Sequence, residues 1–307
     1  MDYVFVALGL AGLFLGGEFL VRGSVAVARS FAISPLLIGL TVVGFGTSTP
    51  ELLVSVDAAW RGLPDIALGN VVGSNIANIL LILGIAALVW PIAISGPSVR
   101  RDLVVMLAAA LILLPFFYLG EVSRLAGAVL VAGLAIYLIV AYLAGRAAPP
   151  EPDTEDGPSL STGKALALVG VGLVGLMIGA RLLVDGAVAI ARDFDLSEAF
   201  IGLTIVAVGT SLPELATSLI AAFRRQSEIA IGNVVGSNIF NILGILGVTA
   251  LITPIPVATR FLSFDLPVML AASVALALLL LAWSRIGRLA GFGLLAAYVL
   301  YVIAAQG

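Results

Sequence analysis

GFGTSTPE at residues 44–51 returns as AVGTSLPE at 207–214, and GNVVGSNI at 69–76 returns unchanged at 232–239. Each pair stands 163 residues apart. At that offset 33–84 aligns with 196–247 without a gap, and 32 of the 52 positions are identical. Apolar composition alone does not reproduce such strings, so the chain carries an internal duplication.

The composition around these motifs is that of a membrane protein. Apolar residues make up 61% of the 307 and charged residues 11%, against about 25% charged in an ordinary soluble domain; mean hydropathy is +1.20. Apolar runs between Gly, Pro and charged punctuation predict ten spans, at 3–28, 34–59, 65–90, 101–119 and 124–145, then 164–191, 198–223, 228–252, 262–283 and 286–304. The first run has no basic leader and reads as a mature helix, not a cleaved signal. Cysteine and histidine are both absent. That excludes disulfides, thiolate or imidazole metal sites and Ser-His catalysis. Lys and Arg are scattered, which gives no footprint for nucleic acid.

Ten spans and a duplication define the expected fold: all-α, integral to the membrane, two five-helix repeats. An odd number of spans per repeat makes the second enter from the opposite side, so the repeats are inverted and their shared site lies near the midplane. The expected units are 1–145 and 164–307. Between them 146–163, with PPEPDTEDGPSLSTG, reads as a solvated connector. With the N-terminus outside, nine Lys or Arg residues fall in inner loops (Arg29, Arg100, Arg101, Arg146, Lys164, Arg224, Arg225, Arg285, Arg288). Four (Arg61, Arg124, Arg192, Arg260) fall in outer ones. The positive-inside rule therefore predicts a multi-pass cell-membrane protein with both termini outside and the connector cytoplasmic.

Polar groups at membrane depth need a reason. Glu51 and Glu214 sit mid-span with no Lys or Arg within a helical turn. Thr47 and Ser48 precede Glu51 by four and three residues, on one helix face, and Thr210 and Ser211 repeat this before Glu214. Pro50 and Pro213 lack an N–H and clash one turn back, which predicts freed carbonyls in 44–47 and 207–210. Carboxylates, hydroxyls and carbonyls are hard oxygen ligands suited to calcium and sodium. In the third span of each half, Asn70, Ser74 and Asn78 share a face, as do Asn233, Ser237 and Asn241. Ser74, Asn78, Ser237 and Asn241 read as site-lining; interhelical hydrogen bonding alone is the competing reading. Asn75 and Asn238 read as packing residues. The pairs Gly69/Gly73 and Gly232/Gly236 permit close backbone approach.

GTSTPELLVS and GTSLPELATS, followed by ALGNVVGSNIANIL and AIGNVVGSNIFNIL, resemble the sodium/calcium exchanger branch of the cation/calcium antiporter superfamily. The resemblance covers essentially the whole chain. It implies antiport of several sodium ions for one calcium by alternating access, with no cofactor and not as an enzyme. It also implies that the first and sixth helices slide as a unit over a rigid core. The ligands it implies are Thr47, Ser48, Glu51, Ser74 and Asn78, then Thr210, Ser211, Glu214, Ser237 and Asn241, with carbonyls at Gly44 and Ala207. Some relatives, potassium-dependent exchangers among them, carry Asp where this chain has Asn241, which weakens a case for potassium. The proton-coupled branch shows a GNATE-like string; here Gly69-Asn70 and Gly232-Asn233 are followed by valine. The rival readings are a proton/calcium antiporter using the same glutamates, a cation channel, and an intramembrane hydrolase, which would lack His and Cys.

Glu18 and Arg22 on the first helix, and Arg181 and Asp185 on the sixth, stand four apart with signs exchanged. They read either as intrahelical ion pairs or as an ion passage. The acidic run Glu151, Asp153, Glu155, Asp156 reads as solvated linker, with a calcium sensor as the alternative.

Overall fold

The computed structural model describes residues 2–31, 33–93, 97–147, 160–194, 209–283 and 285–305. Most of the expected connector with its acidic run, the first part of the seventh expected span, and Ala207 lie outside the described residues.

The long helices are α1 (Asp2–Phe31), α4 (Pro64–Val89), α5 (Ser98–Tyr118), α6 (Arg124–Ala147), α7 (Thr162–Asp193), α9 (Ser227–Ile252), α10 (Phe261–Trp283) and α11 (Arg288–Ala305). α2 (Pro35–Thr47) and α3 (Thr49–Trp60) form one broken span, bent by 44°. α8 (Leu212–Phe223) is a shorter apolar helix. Among the described residues, eight helices are long and apolar enough to cross a bilayer, nine with the bent pair.

α4 and α9 form the centre. Of their most apolar windows 78% is buried, against 11–39% for the other long helices, which turn apolar side chains outward as lipid-facing helices do. Both central helices relax into π-helix part-way, at Asn78–Ile82 in α4 and Phe240–Leu246 in α9. Such wide turns shift the side chains that follow and recur at functional sites. Gly232 and Gly236 let α9 press against α2: a Cβ on Gly236 would lie 2.3 Å from the Leu40 carbonyl oxygen. The equivalent partners of Gly69 and Gly73, at 199–203, lie outside the described residues.

Two short ribbons close opposite ends of the bundle. Ile92–Ala93 pairs with Arg285–Ile286, and Glu121–Val122 with Ile255–Pro256. α5 runs from the first ribbon to the second, and α10, its equivalent at the 163-residue offset, runs back. At the first end Arg225 lies 4.3 Å over the Trp90 ring and Arg288 Nε donates to the Leu88 carbonyl at 3.1 Å. At the second, Arg260 donates to the Ala305 carbonyl at 2.9 Å.

Each half also clasps its last two spans through a buried aspartate. Tyr137 of α6 donates to Asp102 of α5 at 3.5 Å, and Tyr301 of α11 to Asp265 of α10 at 3.0 Å. Each aspartate has an arginine, Arg101 at 2.8 Å and Arg260 at 3.2 Å. Asp102 and Asp265 are 163 residues apart, so the duplication extends beyond the stretch where sequence identity is dense.

α1 and α7 lie antiparallel along their whole lengths, and glycine makes that possible. Gly9 and Gly16 on α1 meet Gly179 and Gly172 on α7, Gly23 meets the backbone of Ala165 and Val169, and Gly186 that of Asp2 and Val6; Gly9, Gly16 and Gly23 are spaced by seven, as are Gly172, Gly179 and Gly186. Seven residues is close to two helical turns, so each series stays on the seam. A Cβ on Gly172 would sit 2.5 Å from the Leu20 nitrogen and 2.8 Å from the Gly16 oxygen, against backbone that has nowhere to go. Gly170 on the same helix has nothing within 4 Å of that position. Gly172→Ala should therefore destabilise by about 1–3 kcal/mol through overpacking. The melting temperature of the detergent-solubilised protein should fall by several degrees, while Gly170→Ala leaves it unchanged or raised. Equal effects of the two substitutions would remove the seam argument.

Candidate functional site

The broken span places Glu51. Pro50 cannot donate to the Gly46 carbonyl, so the helix stops at Thr47, Ser48 takes a non-helical φ of −84° and ψ of 8°, and α3 restarts with Glu51 in its first turn. α8 opens the same way. Ser211 has φ −87° and ψ 6°, Pro213 stands in the first turn, and Glu214 beside it. Each glutamate thus sits at the positive end of a helix, where a carboxylate is favoured.

Both glutamates are 1% exposed. Neither forms an ion pair among the described residues. They are held across the halves instead. Ser48 Oγ donates to Glu214 Oε1 at 2.8 Å, and Ser211 Oγ to Glu51 Oε1 at 3.5 Å. Because each serine lies one turn before its own glutamate, this exchange brings both carboxylates into one small volume.

The central helices supply the frame. Asn70 Nδ2 donates to the Glu51 carbonyl at 3.0 Å and to Ser55 Oγ at 2.9 Å. Asn233 Nδ2 donates to the Glu214 carbonyl at 3.2 Å and to Ser218 Oγ at 2.9 Å, and its Oδ1 accepts from Thr47 Oγ1 at 3.1 Å. These two asparagines fix where each acid's backbone sits. The Gly44 carbonyl, expected to be freed, accepts from Ser48 N at 3.2 Å, Thr47 Oγ1 at 3.3 Å and Ser237 Oγ at 3.2 Å. The break falls one residue beyond the turn that Gly44 closes, so that turn survives. Ser74 is buried on α4 one turn before Asn78, and Thr210 is half-buried beside Ser211. Glu18 is engaged by Arg224, at the C-terminal end of α8, as well as by Arg22 at 3.9 Å, and Arg181 pairs with Asp185 at 3.8 Å on an exposed face; these five stand outside the central cluster.

Among the described residues, five buried polar atoms here have no hydrogen-bond partner: Glu51 Oε2, Glu214 Oε2, Asn78 Oδ1, and both amide atoms of Asn241. Elsewhere Ser24 Oγ, Asp102 Oδ2 and Thr217 Oγ1 share that condition. An orphaned buried acceptor costs about 1–3 kcal/mol, and more when charged. A cation ringed by these oxygens removes that penalty. Four of the five are oxygens, the ligand atoms that hard cations take, whereas the Asn241 amide nitrogen does not ligate. Among the described residues no three Asp, Glu, His or Cys side chains gather, so a cation held here draws most of its ligands from neutral groups.

The profile described as "Sodium/calcium exchanger protein" matches residues 1–143 and 164–306. A putative antiporter, CaxA of Alkalimonas amylolytica, is 41% identical over 97% of this chain and 96% of its own. The Ca(2+)/H(+) antiporter ChaA of Bacillus subtilis is 27% identical over 92% of this chain and 86% of its own. The solved structure of the sodium-calcium exchanger NCX_Mj superposes with a TM-score of 0.86 at 36% identity, covering 98% of this chain and 97% of that one. A profile spanning both halves, a relative aligned end to end and a whole-fold match agree: this multi-pass membrane antiporter belongs to the sodium/calcium exchanger protein family.

Proposed function

We propose that the chain exchanges sodium for calcium across the cell membrane by alternating access. Calcium and sodium compete for one site built on Glu51 and Glu214. Around the carboxylates, Thr47, Ser48, Ser74 and Asn78 serve from one half, and Thr210, Ser211, Ser237 and Asn241 from the other, with carbonyls of Gly44 and Ala207. The observation that carries this reading is the exchange of serine hydroxyls between the two acids, each left with an unbonded oxygen. Two acids that close, with no arginine between them, repel unless a cation intervenes.

Charge arithmetic then sets the mechanism. Two carboxylates balance one Ca²⁺ or two Na⁺, so loaded states are near neutral and can be carried past the midplane. The empty site keeps two unbalanced charges and resists translocation. That couples entry of one ion to exit of the other.

The architecture belonging to this mechanism is ten spans in two inverted repeats, 1–145 and 164–307, joined by a cytoplasmic connector at 146–163 with both termini outside. Antiparallel running of the equivalent pairs α1 and α7, and α5 and α10, supports the inversion. The arginines gathered at the end closed by the Ile92–Ala93 and Arg285–Ile286 ribbon favour that end as cytoplasmic.

Reconstituted in sodium-loaded proteoliposomes, the protein should take up calcium-45 when sodium is absent outside and stop when the sodium gradient is removed. Uptake indifferent to sodium but abolished by collapsing a pH gradient would replace this reading with proton/calcium antiport through the same glutamates. Glu51→Gln and Glu214→Gln each remove one of two countercharges and should reduce calcium exchange at least about a hundredfold, since losing one partner of a buried charge costs about 3–5 kcal/mol. Full activity in either variant takes that residue out of the site.

A further inference from the structure

Three buried amides run across the two central helices beside the site. Asn78 of α4 donates its Nδ2 to Oδ1 of Asn238 on α9 at 3.0 Å. Asn238 donates its own Nδ2 to the backbone carbonyl of Asn75 at 3.4 Å and lies 3.9 Å from Met106 Sδ. All three asparagines are 1% exposed. The backbone carbonyl can only accept, so it fixes which end of the Asn238 amide faces it. The other end, Oδ1, then faces Asn78 and can accept only from its Nδ2. What remains of Asn78 is Oδ1, which has no protein partner.

The duplication makes Asn75 the counterpart of Asn238, and Asn241 the counterpart of Asn78. The geometry does not repeat with it. Asn75 Nδ2 turns back to the Val71 carbonyl of its own helix at 2.7 Å, and neither amide atom of Asn241 has a partner among the described residues. Two residues of identical type and equivalent position therefore do different work.

We infer that Asn238 is a positioning residue for the ion site: by gripping the amide nitrogen of Asn78 it aims that residue's carbonyl oxygen at the transported cation, while Asn241 is left to adapt. This rests on the reading of the site given above. One half supplies a preorganised amide ligand and the other an adjustable one. A ligand amide that must be oriented afresh at each binding event weakens binding, not the rate of the loaded carrier, because the ordering cost falls on the binding step.

The test compares Asn238→Ala, Asn75→Ala, Asn78→Ala and the Asn238/Asn78 double alanine variant in sodium-driven calcium-45 uptake. Loss of a partner that orients a metal ligand weakens metal affinity about tenfold or more. Asn238→Ala should therefore raise the half-saturating calcium concentration about tenfold with maximal rate within about twofold of wild type. Asn75→Ala, whose backbone carbonyl persists, should change half-saturation by less than about twofold. In the Asn78→Ala background, Asn238→Ala should add less than about twofold, since the two act through one contact. Equal effects at 75 and 238, or a full additional effect in the double variant, overturn the inference.

If Asn238→Ala does not assemble, Asn238→Asp keeps an oxygen toward Asn78 Nδ2. It should hold half-saturation at or below wild type, and a rise matching that of Asn78→Ala counts against the proposal. Calcium-dependent thermal stabilisation of the same purified variants reads the comparison without any exchange. Wild type that binds calcium but shows no sodium-driven uptake defeats the exchange reading alone, leaving the positioning role to be judged on binding.

Discussion

Two carboxylates buried together with no basic residue between them are the constraint around which this protein is built. An acid at that depth is tolerated only when something balances it, and here that something is not a side chain. The surroundings follow. Each acid stands in the first turn of a helix beside a proline, which turns a helix end toward the charge, and at Glu51 that proline breaks the span. Each acid's backbone is pinned by an asparagine on a central helix, and each carboxylate takes one hydroxyl from the opposite half. Nothing in this arrangement neutralises the second oxygen. The frame is rigid where it holds the acids and unfinished where a cation would sit.

Against this polar centre, the α1–α7 pair is joined by a different kind of contact. Its seam is backbone on backbone, with glycines every seventh residue on both helices and no room for a methyl group. In a membrane such contact is a main source of helix association, because lipid competes poorly with close van der Waals packing. Two helices joined that tightly behave as one body. Their contact with the core includes side-chain edges, as where Gly17 meets Ile220 and Gly46 meets Leu173. A firmly joined pair suits the sliding unit that the family resemblance implies.

How much of this was legible depended on contrast. Glu51, Thr47, Ser48 and Pro50 stand out because they are polar or helix-breaking within apolar runs, and their copies at 214, 210, 211 and 213 remove the chance of accident. Nine of the ten expected spans match helices among the described residues to within a few residues at each end, for the same reason; of the seventh, 212–223 is described. The glycine seam was equally present in the sequence, but 34 glycines in an apolar chain hide a period of seven unless it is sought. Asp102 and Asp265 lie near predicted span ends close to arginines, and nothing in the string marks them as buried; the tyrosines folded against them show that they are clasps. The π turns after Ala77 and Ile239 leave no trace in composition, because Asn-Ile-Leu reads the same in either helix type.

Asn75 and Asn238 mark a deeper limit. Their local sequences, VVGSNI in both halves, are identical, and any rule applied to the string must treat the two residues alike. What separates them is which neighbour each amide meets, and that is decided by how two copies of one motif cross. A duplicated chain is symmetric in sequence only. Once its halves pack into a single conformation, equivalent residues meet different partners, as Asn75 and Asn238 do, and one copy's hydrogen bond becomes unavailable to the other. A transporter made of two such halves needs this inequality, because a site whose halves were matched in every contact would favour neither face and would have no conformation to leave.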